Sequence, residues 1–228
     1  MIGIIGAMDV EVENLKAKIE NKKIEAFSGI EFISGKIFDK DVVVAKCGIG
    51  KVFASICAEA MILKYNPEFI INTGVAGTLT CELSIGDVAI SESVCQHDMD
   101  TSPIGDPKGL LSGINIINIP ADEYLVNLAE TVIKEQNINC KKGVIASGDQ
   151  FIASKEQKDF ILSEFSAIAC EMEGASIGHV CYVNKVKFLV LRAISDSADN
   201  SSHMDYPTFL KMASENSTKV TFELIKRI

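Results

Sequence analysis

Three carboxylates crowd the stretch Gly6-Ala7-Met8-Asp9-Val10-Glu11-Val12-Glu13, where Asp9, Glu11 and Glu13 all come before the first lysine, Lys16. Two more, Glu171 and Glu173, flank Met172 just past the apolar run 167–170, and Asp196 follows the run 187–193, inside which Arg192 sits. Acids at a helix start can simply cap its free N–H groups, and an arginine in an apolar strand can simply pair with a nearby aspartate. Carboxylates delivered by apolar strands are costly, however, unless they are paired or employed. Such clusters mark functional sites, so a polar site served by these groups is the sharper reading.

Glycine-rich turns occupy the neighbouring strand ends. Cys47-Gly48-Ile49-Gly50-Lys51 lacks the upstream glycine of a phosphate loop and has Val52 where Ser or Thr would hold magnesium. It also lacks the third glycine of a dinucleotide fingerprint, which leaves close backbone approach as its role. Asn72-Thr73-Gly74-Val75-Ala76-Gly77-Thr78 offers small residues whose main-chain N–H groups can face a ligand, or a plain tight turn. Ser147-Gly148-Asp149-Gln150-Phe151-Ile152 adds an aromatic side chain. His97, His179 and His203 are dispersed, with no Gly-x-Ser-x-Gly elbow, so no histidine receives a role.

The elements that position these groups follow from hydrophobic patterning. Apolar runs at 2–5, 42–45, 69–72, 88–91, 143–146, 167–170 and 187–193 read as strands buried on both faces. Helical periodicity covers 10–19, 51–65, 121–135, 155–164, 171–183 and 206–228. The alternation predicts an α/β three-layer sandwich with a central mixed, mostly parallel sheet flanked by helices. Ligands of such sheets bind beyond the carboxyl ends of the strands. The stretch 93–120, with Gly105, Gly109, Gly113, Pro103 and Pro107, reads as a long surface loop. No linker divides the chain, so residues 1–228 are expected to form a single domain.

Composition narrows the partners. With 47% hydrophobic and 23% charged residues the chain is globular, and a net charge of −9 without a basic run argues against nucleic-acid binding. The seven cysteines are scattered, with no Cys-x-x-Cys pair, and read as reduced core residues. Neither a signal peptide nor a membrane span is expected, and a cytoplasmic location follows by default.

Taken together, Gly3-Ile4-Ile5-Gly6-Ala7-Met8, Gly48-Ile49-Gly50-Lys51-Val52, Ile71-Asn72-Thr73-Gly74, Ser147-Gly148-Asp149, Glu171-Met172-Glu173 and Arg192-Ala193-Ile194-Ser195-Asp196 carry a resemblance. From Ile2 to nearly its end, the chain resembles the 5′-methylthioadenosine/S-adenosylhomocysteine nucleosidases of the purine nucleoside phosphorylase superfamily. The resemblance implies a phosphorylase/hydrolase-like fold and hydrolysis of the N-glycosidic bond of an adenine nucleoside without cofactor or metal. By the resemblance Glu11 is the base that activates water and Asp196 the acid that protonates adenine at N7. Glu173 then grips the ribose hydroxyls, Met172 packs on the sugar, and Gly77, Phe151 and Ile152 surround the base. Met8, Ile49, Arg192, Ser195 and Tyr206 complete the expected binding site. An acid that must hold a proton near neutral pH needs dry surroundings, so Arg192 is expected on the water side, away from Asp196. The resemblance further implies a homodimer in which the 97–105 loop reaches the neighbouring site.

Two departures bear on substrate choice. Val75 stands where the family commonly has Ser, and Ile104 where it has Phe near the end of that loop. They leave open another 5′-substituted adenine nucleoside, such as an aminodeoxyfutalosine-type compound. A phosphorylase on the same fold is the nearest alternative, but phosphate calls for cations and the first strand exit is acidic. A non-catalytic nucleoside-binding protein and a dehydrogenase are the remaining alternatives.

Overall fold

The computed structural model describes residues 1–199 and 201–228, with the backbone alone for 202–204. The side chain of His203 therefore lies outside the described residues. The chain opens with β1 (Ile2–Gly6), α1 (Asp9–Lys18), β2 (Glu20–Phe27), β3 (Ile30–Ile37) and β4 (Lys40–Lys46). It continues through α2 (Lys51–Tyr65), β5 (Phe69–Thr78), β6 (Val88–Gln96), β7 (Ile119–Pro120), α3 (Glu123–Glu135) and β8 (Cys140–Ser147). The last part holds α4 (Lys155–Phe165), β9 (Ala167–Glu171), α5 (Gly174–Asn184), β10 (Lys187–Asp196) and α6 (Ser202–Arg227).

All the described strands join one mixed ten-stranded sheet, ordered β10-β6-β8-β9-β5-β1-β4-β3-β2, with β7 on the flank of β6. A further parallel pairing of β10 with β5 closes five of these strands on themselves, so that half of the sheet curls into a ring while β1, β4, β3 and β2 continue as an open wing. The pairings of β1 with β4 and β5, of β6 with β8, and of β8 with β9 are parallel as well. The carboxyl ends of β1, β4, β5 and β10 therefore gather at one rim, and β8 and β9, which run antiparallel to β5 and β10, bring the segments that follow them to the same cavity.

Alternation along the strands builds the layers. In β1, Ile2 and Ile4 join an apolar cluster with Val12, Leu125 and Val220, so that face is covered by α1, α3 and α6. Ile5 joins the opposite cluster with Met61 and Ile177, beneath α2 and α5. β4 repeats this, with Val42 and Val44 on the first side and Val43 and Ala45 on the second, as the two-residue period of a strand requires.

The structure departs from the sequence reading in three places. The hairpin β2–β3 was not foreseen: Glu-Asn-Lys-Lys-Ile-Glu-Ala-Phe of β2 is exposed over most of its length, as an edge strand is, and carries no clean apolar alternation. Residues 93–120 are less loop-like than expected, because β6 runs on to Gln96, a short 3-10 turn spans Ser102–Ile104 and β7 pairs back on β6. The helix expected over 171–183 begins only at Gly174; Glu171 ends β9, and its carboxylate accepts the backbone N–H groups of Glu173 (3.1 Å) and Gly174 (2.8 Å).

Candidate active site

Glu11 is the third residue of α1, and its carboxylate folds back onto the turn that precedes the helix. Its Oε2 accepts the N–H groups of Ala7 (2.7 Å) and Met8 (2.9 Å), and its Oε1 accepts that of Val75 (3.1 Å). The capping role and the site role thus fall on one residue, while Asp9 pairs with Lys46 at the surface (2.8 Å). Glu11 is 4% exposed. Burial raises its proton affinity above the ordinary carboxylate value, against the opposing pull of Arg192 and the three N–H donors.

Asp196 ends β10 and is 3% exposed. Its Oδ2 accepts the Ser195 hydroxyl (3.0 Å) and its Oδ1 the N–H of Ala198 (2.9 Å). Two glycines on β5 make room for the two acids. A Cβ on Gly74 would stand 2.5 Å from Glu11 Oε1, and one on Gly77 would stand 2.7 Å from Asp196 Oδ1. The anchor points Val75 and Gly77 are two residues apart on one strand, roughly 7 Å. Glu11 and Asp196 thus border the same cavity at separate places.

That cavity holds about 270 Å³. Met8, Ile49, Val75, Met172 and Tyr206 give it apolar walls, Ala76, Gly77, Cys170 and Ile152 a narrow floor, and Glu11, Glu173, Ser195 and Asp196 its polar points. Phe151, 46% exposed, meets the Tyr206 ring edge-on at 5.4 Å, and the Tyr206 hydroxyl donates to Met8 Sδ at 3.3 Å, so the aromatic pair and Met8 form one rim. No lysine or arginine lines the cavity among the described residues.

Eleven of the twelve residues expected in the site line this cavity; Arg192 does not. Arg192 is 1% exposed and sits beneath the wall, where its Nε donates to Glu171 Oε2 (3.1 Å) and its Nη2 to Asn72 Oδ1 (2.5 Å) and to Glu171. Its Nη1 donates to the Leu191 carbonyl (3.2 Å), so all three of its nitrogens already have a protein partner. It lies on the Glu11 side, since a Cβ on Gly74 would also meet its Nη1 at 3.0 Å. Sequence reasoning passed over Ala7, Ala76, Gln150 and Cys170, which also line the cavity; their only signal was position beside a motif at a strand end. His97 is buried and His179 partly buried, and neither lines the cavity. Ile104 is 82% exposed and lies off it as well.

Glu173 places Oε1 on the Gly50 N–H (2.9 Å) and Oε2 3.7 Å from Arg192 Nη2. Burial, then the Glu171 carboxylate, pushes its proton affinity well above the ordinary value of 4.5. A raised folded-state pKa contributes stability that is complete at low pH and is lost as the pH climbs through that pKa. Glu173→Gln is therefore expected to gain thermal stability relative to the parent as pH rises from about 5 to about 8. Melting curves across that range check this, and a constant gap in Tm would contradict it.

The strand ends thus bring buried acids to separate edges of one largely apolar slot. The Phosphorylase superfamily profile matches residues 1–226. A 5′-methylthioadenosine/S-adenosylhomocysteine nucleosidase from Shewanella sp. (strain MR-7) is 41% identical over 229 residues, covering 100% of this chain and 97% of its own. Among solved structures, a Helicobacter pylori aspartate-to-asparagine mutant of this nucleosidase type, with 5′-methylthioadenosine in the active site, superposes at TM-score 0.96 with 37% identity, covering 100% of this chain and 98% of its own. The futalosine hydrolase of H. pylori strain 26695 superposes at 0.95 with 38% identity, covering 100% and 97%. The chain belongs to the 5′-methylthioadenosine/S-adenosylhomocysteine nucleosidase family of the phosphorylase superfamily.

Proposed function

We propose that residues 1–228 act as one nucleosidase domain, an N-glycosyl hydrolase that splits 5′-methylthioadenosine and S-adenosylhomocysteine into adenine and the 5-thio-substituted ribose. The observation that carries this reading is the pair of buried acids, Glu11 and Asp196, set at separate edges of one apolar cavity. Cleavage of an N-glycosidic bond passes through an oxocarbenium-like state, which needs a protonated leaving base on one side and a positioned water on the other. Glu11, anchored by three backbone donors, takes the proton of the attacking water. Asp196, steadied by Ser195 and Ala198, gives a proton to adenine N7 as the bond breaks.

The binding residues follow the cavity walls. Glu173 accepts the ribose hydroxyls, Met172 packs on the sugar, Phe151 stacks on the purine, and the Ile152 main chain pairs with the base edge beside Gly77. Met8, Ile49 and Tyr206 enclose the 5′ end. Water rather than phosphate is the acceptor, because phosphate is held by arginine or lysine donors and the one nearby arginine is engaged by Glu171 and Asn72. Adenine release with and without inorganic phosphate tests this.

The likeness to futalosine hydrolase supports a second substrate, an aminodeoxyfutalosine-type nucleoside. Val75 lies at the Glu11 edge and presents methyl groups where a hydroxyl could bind water or sugar. A hydrogen bond of that kind contributes about 1 kcal/mol, so Val75→Ser is expected to raise kcat/KM on 5′-methylthioadenosine about fivefold. Steady-state rates on both nucleosides check this; unchanged values would place the 75 side chain outside the reacting region.

In the cell the protein is a cytoplasmic homodimer serving methionine salvage and nucleoside catabolism, with no nucleic-acid or membrane partner. The acidic balance of −9 supports the lack of a nucleic-acid partner, and no helix among the described residues is long and apolar enough to cross a membrane. Sedimentation equilibrium tests the dimer.

A further inference from the structure

Arg192 and Asn72 lie just behind the cavity lining and are joined there by Glu171, which itself lines the cavity. Arg192 directs Nε and Nη2 to Glu171 and Nη2 to Asn72 Oδ1, and Asn72 Nδ2 donates to the Ile5 carbonyl at 2.9 Å. Glu171 is saturated from every side: its oxygens also accept from the Ser147 hydroxyl and from the N–H groups of Glu173 (3.1 Å) and Gly174 (2.8 Å). One cation is thus surrounded by three buried acids, Glu171, Glu173 and Glu11, of which it is hydrogen-bonded to Glu171.

We propose that Glu171 is a positioning residue for the reaction: it fixes the Arg192 guanidinium and compensates its charge, which limits the pull of Arg192 on Glu11 and Glu173 so that they can act on water and ribose. This rests on the nucleosidase reading above. Arg192 already stands 3.7 Å from Glu173 and pulls on Glu11; without the Glu171 charge that pull would go uncompensated, and an opposite charge nearby favours the ionised forms of the two acids.

The groups facing this layer from the packed elements are few. Cys47 faces Arg192, Glu11 and Glu173 from the end of β4, and burial holds its thiol protonated. Cys95, His97 and Cys170 border Glu171; burial pushes Cys95 up to about 12, raises Cys170 and lowers His97. Tyr206, pushed up to about 12 by burial, and Asp196 close the opposite side.

The test is the pH dependence of kcat/KM on 5′-methylthioadenosine, whose acid limb reports the acids that must be ionised in the free enzyme. Glu171→Gln is expected to move that limb to lower pH by about one unit, while Glu171→Asp, which keeps the charge, restores it to the parent position. An E171Q enzyme that loses rate equally at every pH, with its limb in place, would make Glu171 merely structural and overturn the proposal. Removing one member of a buried ion pair can unfold a chain. If E171Q does not fold, the double variant Glu171→Gln, Arg192→Gln removes both charges, and its limb is expected above that of the parent because Glu11 has lost its cation; a limb at or below the parent position overturns the proposal equally. Wild-type protein runs beside both, and failure of the parent to release adenine would refute the nucleosidase reading instead.

Discussion

Replacing Asp196 with Asn is expected to lower kcat for adenine release by about 10³-fold while leaving KM within about threefold. Asparagine preserves the size of the side chain and can still accept the Ala198 N–H that Oδ1 accepts now at 2.9 Å. It has no acidic proton, so adenine must depart as an anion. Because the lost interaction arises only as the bond breaks, substrate binding survives and the penalty falls on kcat. Adenine release by the variant, with the nucleoside Kd from calorimetry, checks both halves. A variant that turns over at more than a tenth of the parent rate would remove Asp196 from the role of acid.

Glu11→Gln is expected to lose kcat by a similar factor, ~10³, for the opposite reason. Gln cannot take a proton from water, although its carbonyl oxygen can still accept the Ala7 and Met8 N–H groups that now meet Oε2 at 2.7 and 2.9 Å. Burial raises the proton affinity of the parent Glu11, and a base must be ionised to act. Parent kcat/KM should therefore fall on the acid side at a pH above the ordinary carboxylate range, and the residual rate of the variant should lack that limb. Stopped-time assays from pH 4 to 9 check this. An acid limb retained unchanged in Glu11→Gln would assign it to another group, Glu173 first.

Much of the fold was legible because β1, β4, β5 and β10 are apolar on both faces, and runs such as Ile2–Ile4–Ile5 and Val42–Val43–Val44 admit few other readings. The β2–β3 hairpin was not, since Lys22, Lys23 and Glu25 on an exposed edge give no periodic signal. The ring closure by β10 against both β5 and β6 was equally invisible, because pairing partners far apart in sequence leave no local trace. In the site, the acids announced themselves through their cost: a carboxylate at the end of an apolar run demands an explanation. What the residue types could not disclose was which way each points. Arg192 and Asp196 share β10, yet the former is tied to Asn72 and Glu171 behind the lining while the latter opens on the cavity. Glu171 and Glu173 both reach the cavity lining, yet the former is absorbed by backbone, hydroxyl and guanidinium donors while the latter accepts a hydrogen bond from the Gly50 N–H. Those choices depend on where a strand ends and a helix begins, to within a residue, and patterning is weakest there.

The most direct test of hydrolysis is product analysis after incubation of purified protein with 5′-methylthioadenosine, once in phosphate-free buffer and once with inorganic phosphate. Equal adenine release in both, accompanied by free 5-methylthioribose and no sugar phosphate, is the expected result. Release that requires phosphate and yields a sugar 1-phosphate would contradict it and make the chain a phosphorylase.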